Sequence, residues 1–308
     1  MSSTVLGIHH VSAIATDPQR NIDFYAGVMG LRLVKRTVNF DDPQTYHLYY
    51  GDEVGTPGSL LTFFPWPGAR RGQQGSGQVA VTSFVVLPSS LGFWVERLVR
   101  HAIPFEGPSR RGSGGDTERV ISFRDPDGLM LEIVGHADAG NRTGWHGAAG
   151  IGTEQALRGL HSVTLWADAA GETASVLVDT LGFRQLPEWE DTQRFAAGDG
   201  GPGTLVRLRN VGGFLRGTGG AGTVHHVAWR AADDEAQLLL RERVASVGME
   251  PTPVIDRRYF NSIYFREPGG VLFEVATDTP GFTVDESQEK LGESLMLPPQ
   301  YEPRRAGI

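Results

Sequence analysis

The sequence predicts an α+β fold of four βαβββ modules. The modules should form two curved-sheet, barrel-like units, with module 1 paired to module 4 and module 2 to module 3. Three observations carry this prediction. A strand–helix–three-strand pattern recurs four times along the 308 residues, as it does in repeat architectures. No unit of that size can bury its own sheet face, so units must pair. A His-His doublet opens only the first and fourth modules, in GIHHVSAIA at 7–15 and TVHHVAWRA at 223–231.

Module 1 reads as strand HHVSAIA, helix PQRNIDFYAGVMG and strands LRLVKRTV, TYHLYYG and SLLTFFPW. Its helix carries the one-sided apolar spacing of a surface helix at Ile22, Tyr25, Val28 and Met29, and it ends at glycine, the usual left-handed terminus. Module 2 reads as strand VAVTSFVV, helix SLGFWVERLVRHA, an arginine- and glycine-rich loop, then ERVISFRDPDG and LMLEIVG. Module 3 is LHSVTLWA, GETASVLVDTLG, FRQLPEWED, TQRFAAG and TLVRLRN. Module 4 is VHHVAWRA, DDEAQLLLRERVASVG, MEPTPVID, YFNSIYFREPGG and VLFEVAT. The last strands are β-branched and aromatic, and DPDG and EPGG are turn sequences. The boundaries that follow are an N-terminal domain at 1–140 (modules 1 and 2), a Gly-rich linker at 141–158, a C-terminal domain at 159–279 (modules 3 and 4) and a tail at 280–308 of irregular chain packed on the surface.

Composition narrows the function. A formal charge of −8 with dispersed basic residues argues against a nucleic-acid surface. Cysteine is absent, which removes disulfides, thiolate ligands and cysteine nucleophiles and is compatible with a cytoplasmic location. No apolar run approaches the eighteen residues of a membrane span, and no secretory signal is legible. RRGSGGD lacks the Lys-Ser/Thr ending and the strand–loop–helix setting of a phosphate loop, so it reads as a surface loop.

The repeats place candidate ligands in register. The unit starts align as Ile8-His9-His10-Val11, Val81-Thr82-Ser83-Phe84, Leu160-His161-Ser162-Val163 and Val224-His225-His226-Val227. Glu132 in LMLEIV and Glu274 in VLFEVA align near the unit ends, where module 3 offers Arg207 and module 1 offers Thr62 or Phe63. Pairing of neighbours would give two incomplete sites. Closure of module 1 on module 4 gives one complete set, His10, His226 and Glu274, which is the facial triad that holds non-haem Fe(II), or Mn(II), with coordination positions left open. A histidine in an apolar strand is commonly a satisfied interior residue, but a glutamate buried unpaired in LFEV would cost several kcal/mol. The coincidence of all three in equivalent positions favours a metal site. The lack of an acid near Thr62 favours oxygen chemistry over the isomerase chemistry of a four-ligand site. His47, His101, His136 and His146 share no such register and are placed on the surface or in loops.

With these residues in hand, the chain resembles the vicinal oxygen chelate superfamily, and within it the ring-cleaving dioxygenases that act on hydroquinones, including the chlorohydroquinone type. The resemblance runs through NIDFYAGVMGLRLVKRTVNFDD and DRRYFNSIYFREPGGVLFEVATDTPGF and covers nearly the whole chain. It implies metal ligands at His10, His226 and Glu274, with Fe(II) or possibly Mn(II) as cofactor. It implies substrate-site or supporting roles for His9, Ser12, His225, Arg257 and Tyr264, with Arg258 a competitor for the arginine position. Ser12 stands where a threonine is familiar. An aromatic dihydroxy substrate and O2 are the implied partners, and a homo-oligomer stays open. Strand alternation puts Ser12 on the face of His10, and His9 and His225 on the opposite face. The alternatives are a metal-dependent glyoxalase-type lyase or isomerase, and a non-catalytic small-molecule binding protein of the resistance type.

Overall fold

The computed structural model describes residues 4–112, 117–148 and 150–308. Module 1 comprises β1 (Ile8–Ala15), α1 (Pro18–Ile22) continued by a π-helical segment Asp23–Val28, β2 (Arg32–Asn39), β3 (Asp42–Gly51) and β4 (Leu60–Pro65). Module 2 has β5 (Gln78–Val86), α2 (Leu91–Arg100), β6 (Phe105–Arg111), β7 (Glu118–Arg124) and β8 (Met130–Gly135). Module 3 follows with β9 (Leu160–Ala167), α3 (Ala170–Ser175) extended by a π-helical segment Val176–Thr180, β10 (Arg184–Trp189), β11 (Thr192–Ala196) and β12 (Leu205–Asn210). Module 4 closes with β13 (Val224–Ala231), α4 (Asp234–Ser246), β14 (Ile255–Asp256), β15 (Phe260–Arg266) and β16 (Leu272–Pro280).

Local chemistry explains the boundaries. Asp17 and Asp233 cap α1 and α4 by accepting from the backbone N–H of Arg20 and Ala236. α2 buries Leu91, Trp94 and Leu98 along one face. The DPDG and EPGG turns are built alike. Asp125 accepts from the N–H groups of Asp127 and Leu129, and Glu267 from those of Gly269 and Val271. Gly128 and Gly270 both hold φ of +99°, a conformation that suits glycine.

The strands form two curved eight-stranded sheets, ordered β14-β15-β16-β13-β1-β4-β3-β2 and β10-β11-β12-β9-β5-β8-β7-β6. β1 lies antiparallel to β13 and β5 antiparallel to β9, so module 1 closes on module 4 and module 2 on module 3, as the ligand pattern required. Most buried apolar side chains of both sheets form one continuous core, including Ile8, Val11, Phe84, Val163 and Trp229, and a second, smaller cluster gathers Val34, Tyr49, Leu60, Tyr259, Phe260 and Phe282.

Two readings of the sequence need correction. Glu274 lies opposite Ala228, Thr62 opposite Ser12, Arg207 opposite Thr164 and Glu132 opposite Ser83. The counterpart of Glu274 in module 1 is therefore Thr62 rather than Phe63. In module 2, Ser83 matches Ser12, two residues further along than the repeat alignment placed it, and Val81 takes the place of His10. Secondly, the arginine-rich stretch of module 2 contains the edge strand β6, and Arg111 at its end pairs with Glu118 and Glu132. The remainder of that predicted loop, 113–116, lies outside the described residues.

The segment between β8 and β9 is packed rather than free. Ile151, Ala156 and Leu157 are buried, and the Arg142 guanidinium donates to the carbonyls of Gly58, Leu160 and Pro202, which ties the two sheets together. The tail lies along β2 and β3. Its Asp285 and Glu286 accept from Lys35, which is fully buried, and Tyr301 Oη donates to the Phe40 carbonyl. No helix among the described residues is long and apolar enough to cross a membrane.

Candidate metal centre

β1, β13 and β16 are neighbours at the middle of the first sheet. Together they bring His10, His226 and Glu274 into one buried cluster. His10 Nε2 and His226 Nε2 lie 3.2 Å apart, and Glu274 Oε2 is 3.3 Å from the first and 2.9 Å from the second. Burial alone would raise the Glu274 carboxyl, but His10 and His226 beside it hold it well below the usual carboxylate range. Burial keeps His226 below the usual imidazole value. Glu274 Oε2 is buried with no well-formed hydrogen bond. An orphaned carboxylate oxygen between two imidazole nitrogens is the donor set of a divalent cation.

The His-His doublets have a common geometry. His9 Nδ1 is 2.9 Å from His10 Nδ1, and His225 Nδ1 is 2.7 Å from His226 Nδ1. A histidine that offers Nε2 to a metal carries its proton on Nδ1 and needs an acceptor there. Each preceding histidine stands in that place. Burial and the neighbouring His10 hold His9 well below its ordinary value, which keeps its ring neutral and able to accept. A register irregularity between Ile8 and His10 lets the two rings meet despite strand alternation. The doublets then part in role, because His9 is buried behind the cluster whereas His225 lines a cavity in front of it.

That cavity, about 440 Å³, is bounded by His10, His226, Tyr49, Phe64, Trp66 and Phe260 among others. Arg257 and Tyr264 line it as well. Arg257 Nε donates to Tyr264 Oη at 3.2 Å, and its Nη1 is 3.2 Å from Asp41. The Tyr264 ring lies edge-on to His226, centroids 5.6 Å apart. Burial and the Glu274 charge push the Tyr264 phenol up, so it stays protonated at neutral pH. Arg258 turns away to Asp285. Ser12 is fully buried beneath the cavity, its Oγ 2.7 Å from Thr62 Oγ1.

Three residues of this region escaped the sequence reading. Ser262 donates to Glu274 Oε1 at 2.5 Å. Tyr49 and His47 face the cavity from β3, so the placement of His47 on the surface or in a loop is wrong. It is a buried strand residue whose polar atoms are satisfied internally. A signal existed: HLYY of module 1 aligns with SIYF of module 4, which puts Tyr49 on Tyr264 and His47 on Ser262.

The family model of the Glyoxalase/Bleomycin resistance protein/Dioxygenase superfamily matches residues 7–133 and 159–275. The chain belongs to this superfamily. It is 49% identical to a Bacillus subtilis protein provisionally named ring-cleaving dioxygenase MhqO, over 100% of this chain and 96% of the relative. It is 35% identical to the chlorohydroquinone/hydroquinone 1,2-dioxygenase of Sphingobium indicum, over 97% and 93% respectively. A solved Bacillus subtilis structure, provisionally described as a dioxygenase, superposes with a TM-score of 0.93 at 47% identity, over 99% of this chain and 96% of that one. Among the described residues, the buried His-His-Glu cluster occurs in the first sheet. The equivalent positions of the second sheet hold Val81, Ser162, Glu132 and Arg207, with Arg207 Nη2 2.6 Å from Glu118.

Proposed function

We propose that the chain is a non-haem Fe(II)-dependent, extradiol-type ring-cleaving dioxygenase, acting in the cytoplasm on a hydroquinone-like aromatic with O2. The single observation that carries this reading is one buried His10–His226–Glu274 cluster opening onto an aromatic-walled cavity, with threonine where a fourth acidic ligand would stand. The names of the relatives point the same way. Mn(II) suits the same donors.

Fe(II), held by these three side chains, would supply Lewis acidity and a one-electron couple that lets an electron-rich aromatic ring react with dioxygen. The chain's own groups do the rest. Phe64, Trp66 and Phe260 hold the ring and exclude water. Tyr264, a protonated phenol beside His226, donates to an oxygen at the reacting end and can return a proton to it. Arg257 orients Tyr264 and places a fixed positive charge where negative charge develops on the substrate. His9 and His225 hold the tautomers of the ligand histidines.

Oxygen-electrode traces and product mass spectra test the reading with hydroquinone, catechol and the methylglyoxal–glutathione adduct. Fe(II)-loaded protein should consume about one O2 per hydroquinone and yield an open-chain product. Isomerisation of the adduct with no oxygen uptake on either phenol would overturn the reading in favour of a glyoxalase-type enzyme. Uptake on catechol alone would overturn the substrate but leave the reaction class.

A further inference from the structure

The cavity has a second polar wall that this mechanism leaves unused. On β3, the His47 ring lies between Tyr49 and Phe64, with centroids 4.0 and 4.1 Å away. Its Nδ1 is 2.8 Å from Tyr49 Oη and its Nε2 2.9 Å from Thr62 Oγ1. Thr62 occupies the place that Glu274 holds in module 4, and the register extends the equivalence. Tyr49 lies opposite Thr62 as Tyr264 lies opposite Glu274. The internal repeat thus sets two phenols on the cavity, one per module. Tyr264 is braced by Arg257, and Tyr49 by His47.

The hydrogen-bond inventory leaves Tyr49 with a direction to spare. Burial holds His47 well below the usual imidazole value and raises the Tyr49 phenol well above its own, so both groups are neutral. A neutral imidazole has one donor and one acceptor nitrogen. If His47 accepts at Nδ1, the lone pairs of Tyr49 Oη stay free. If it donates there, the Tyr49 O–H stays free. Either vacancy suits a hydroxyl group, which can donate or accept. The Phe64 and Phe260 walls offer a ring oxygen no partner, and the Trp66 indole N–H is directed to Asp42.

We propose that Tyr49, positioned by His47, binds the substrate oxygen that the metal cluster does not hold, and thereby selects a dihydroxy ring over a monohydroxy one. The inference rests on the ring-cleaving reading above and adds a specificity residue to it. A ring with hydroxyls on opposite carbons presents one oxygen to each end of the cavity. A site that hydrogen-bonds both discriminates against a ring lacking one, because its polar group is then left unpaired.

The test is anaerobic calorimetry of Fe(II)-loaded protein with hydroquinone and with 4-methylphenol, which has a methyl group in place of the second hydroxyl. Wild type should prefer hydroquinone by about tenfold or more. Tyr49→Phe should bring the two affinities to within about twofold by weakening hydroquinone alone, with metal content unchanged. His47→Gln, which keeps the phenol but alters its brace, should lower the preference partway and leave 4-methylphenol binding as it was. It carries the test if Tyr49→Phe loses metal. A wild-type preference that survives in Tyr49→Phe overturns this inference alone. A wild type with no preference overturns the hydroquinone reading together with it.

Discussion

The Ser262 hydroxyl donates to Glu274 Oε1 and so fixes which carboxylate oxygen points between the two imidazoles. Loss of such a supporting bond leaves the ligand in place but lets it rotate. Ser262→Ala should therefore weaken metal binding by about 10-fold or more, as read by competition with a chelator, with little change in melting temperature. Tyr264→Phe should do the opposite. It removes a proton donor that touches no metal-ligating atom, so turnover should fall by about 100-fold while elemental analysis shows full metal content. Equal losses in both measurements would mean that Tyr264 only packs against His226. The three residues of the cluster were legible because each breaks an apolar strand with a group that is costly to bury. Ser262, His47 and Tyr49 were not, because a small hydroxyl or an aromatic residue is ordinary in a strand and only the register reveals its partner.

At the scale of elements, the second sheet repeats the architecture of the first with an ion-pair network in place of the ligand cluster. Arg207 takes the position of Glu274, and its guanidinium meets Ser162 Oγ at 2.5 Å and Glu118 at 2.6 Å. Arg111 closes the network by donating to both Glu132 oxygens at 2.9 Å. Burial would raise the Glu118 carboxyl, but contact with His161 and the charges of Arg207 and Arg111 hold it far below its ordinary value. A carboxyl depressed in the folded state stabilises the fold fully above its unfolded pKa, and that contribution is lost as pH falls through the folded one. Acid titration should therefore erode stability below about pH 4.3. Glu118→Gln should flatten that limb and cost about 3–5 kcal/mol at neutral pH, because Arg207 would be left buried without its counter-charge. Denaturant melts read both effects, and metal content should not change. The sequence announced this sheet but not its register. In VAVTSFVV the polar Thr82-Ser83 pair matches the histidine doublets in sequence, whereas the register puts Ser83 on Ser12 and the apolar Val81 on His10.

For the whole molecule, the decisive fact is that neither sheet belongs to one half of the chain. β1 from the beginning pairs with β13 near the end, and β5 pairs with β9 across the middle. His10 therefore comes from one half and His226 and Glu274 from the other, with their facing nitrogen and oxygen atoms within 3.3 Å of one another. A chain cut in the 141–158 segment would leave four interior strands exposed as edges. These are β1 and β5 in one piece and β9 and β13 in the other, and all four are rich in fully buried side chains such as Val11, Phe84, Val163 and Val227. Unpaired apolar edges of that kind aggregate. Pieces spanning 1–148 and 150–308 should therefore be insoluble when expressed separately. Co-expressed, they can restore both central strand pairs at once and should purify as a one-to-one complex. Elemental analysis provides the discriminating measurement. The reassembled complex should hold one divalent ion per pair of pieces, as the intact chain should, and His226→Ala in the second piece should abolish it. Full metal binding by the first piece alone would show that the ligands do not come from both halves, and the pairing of modules 1 and 4 would then not be what makes the centre.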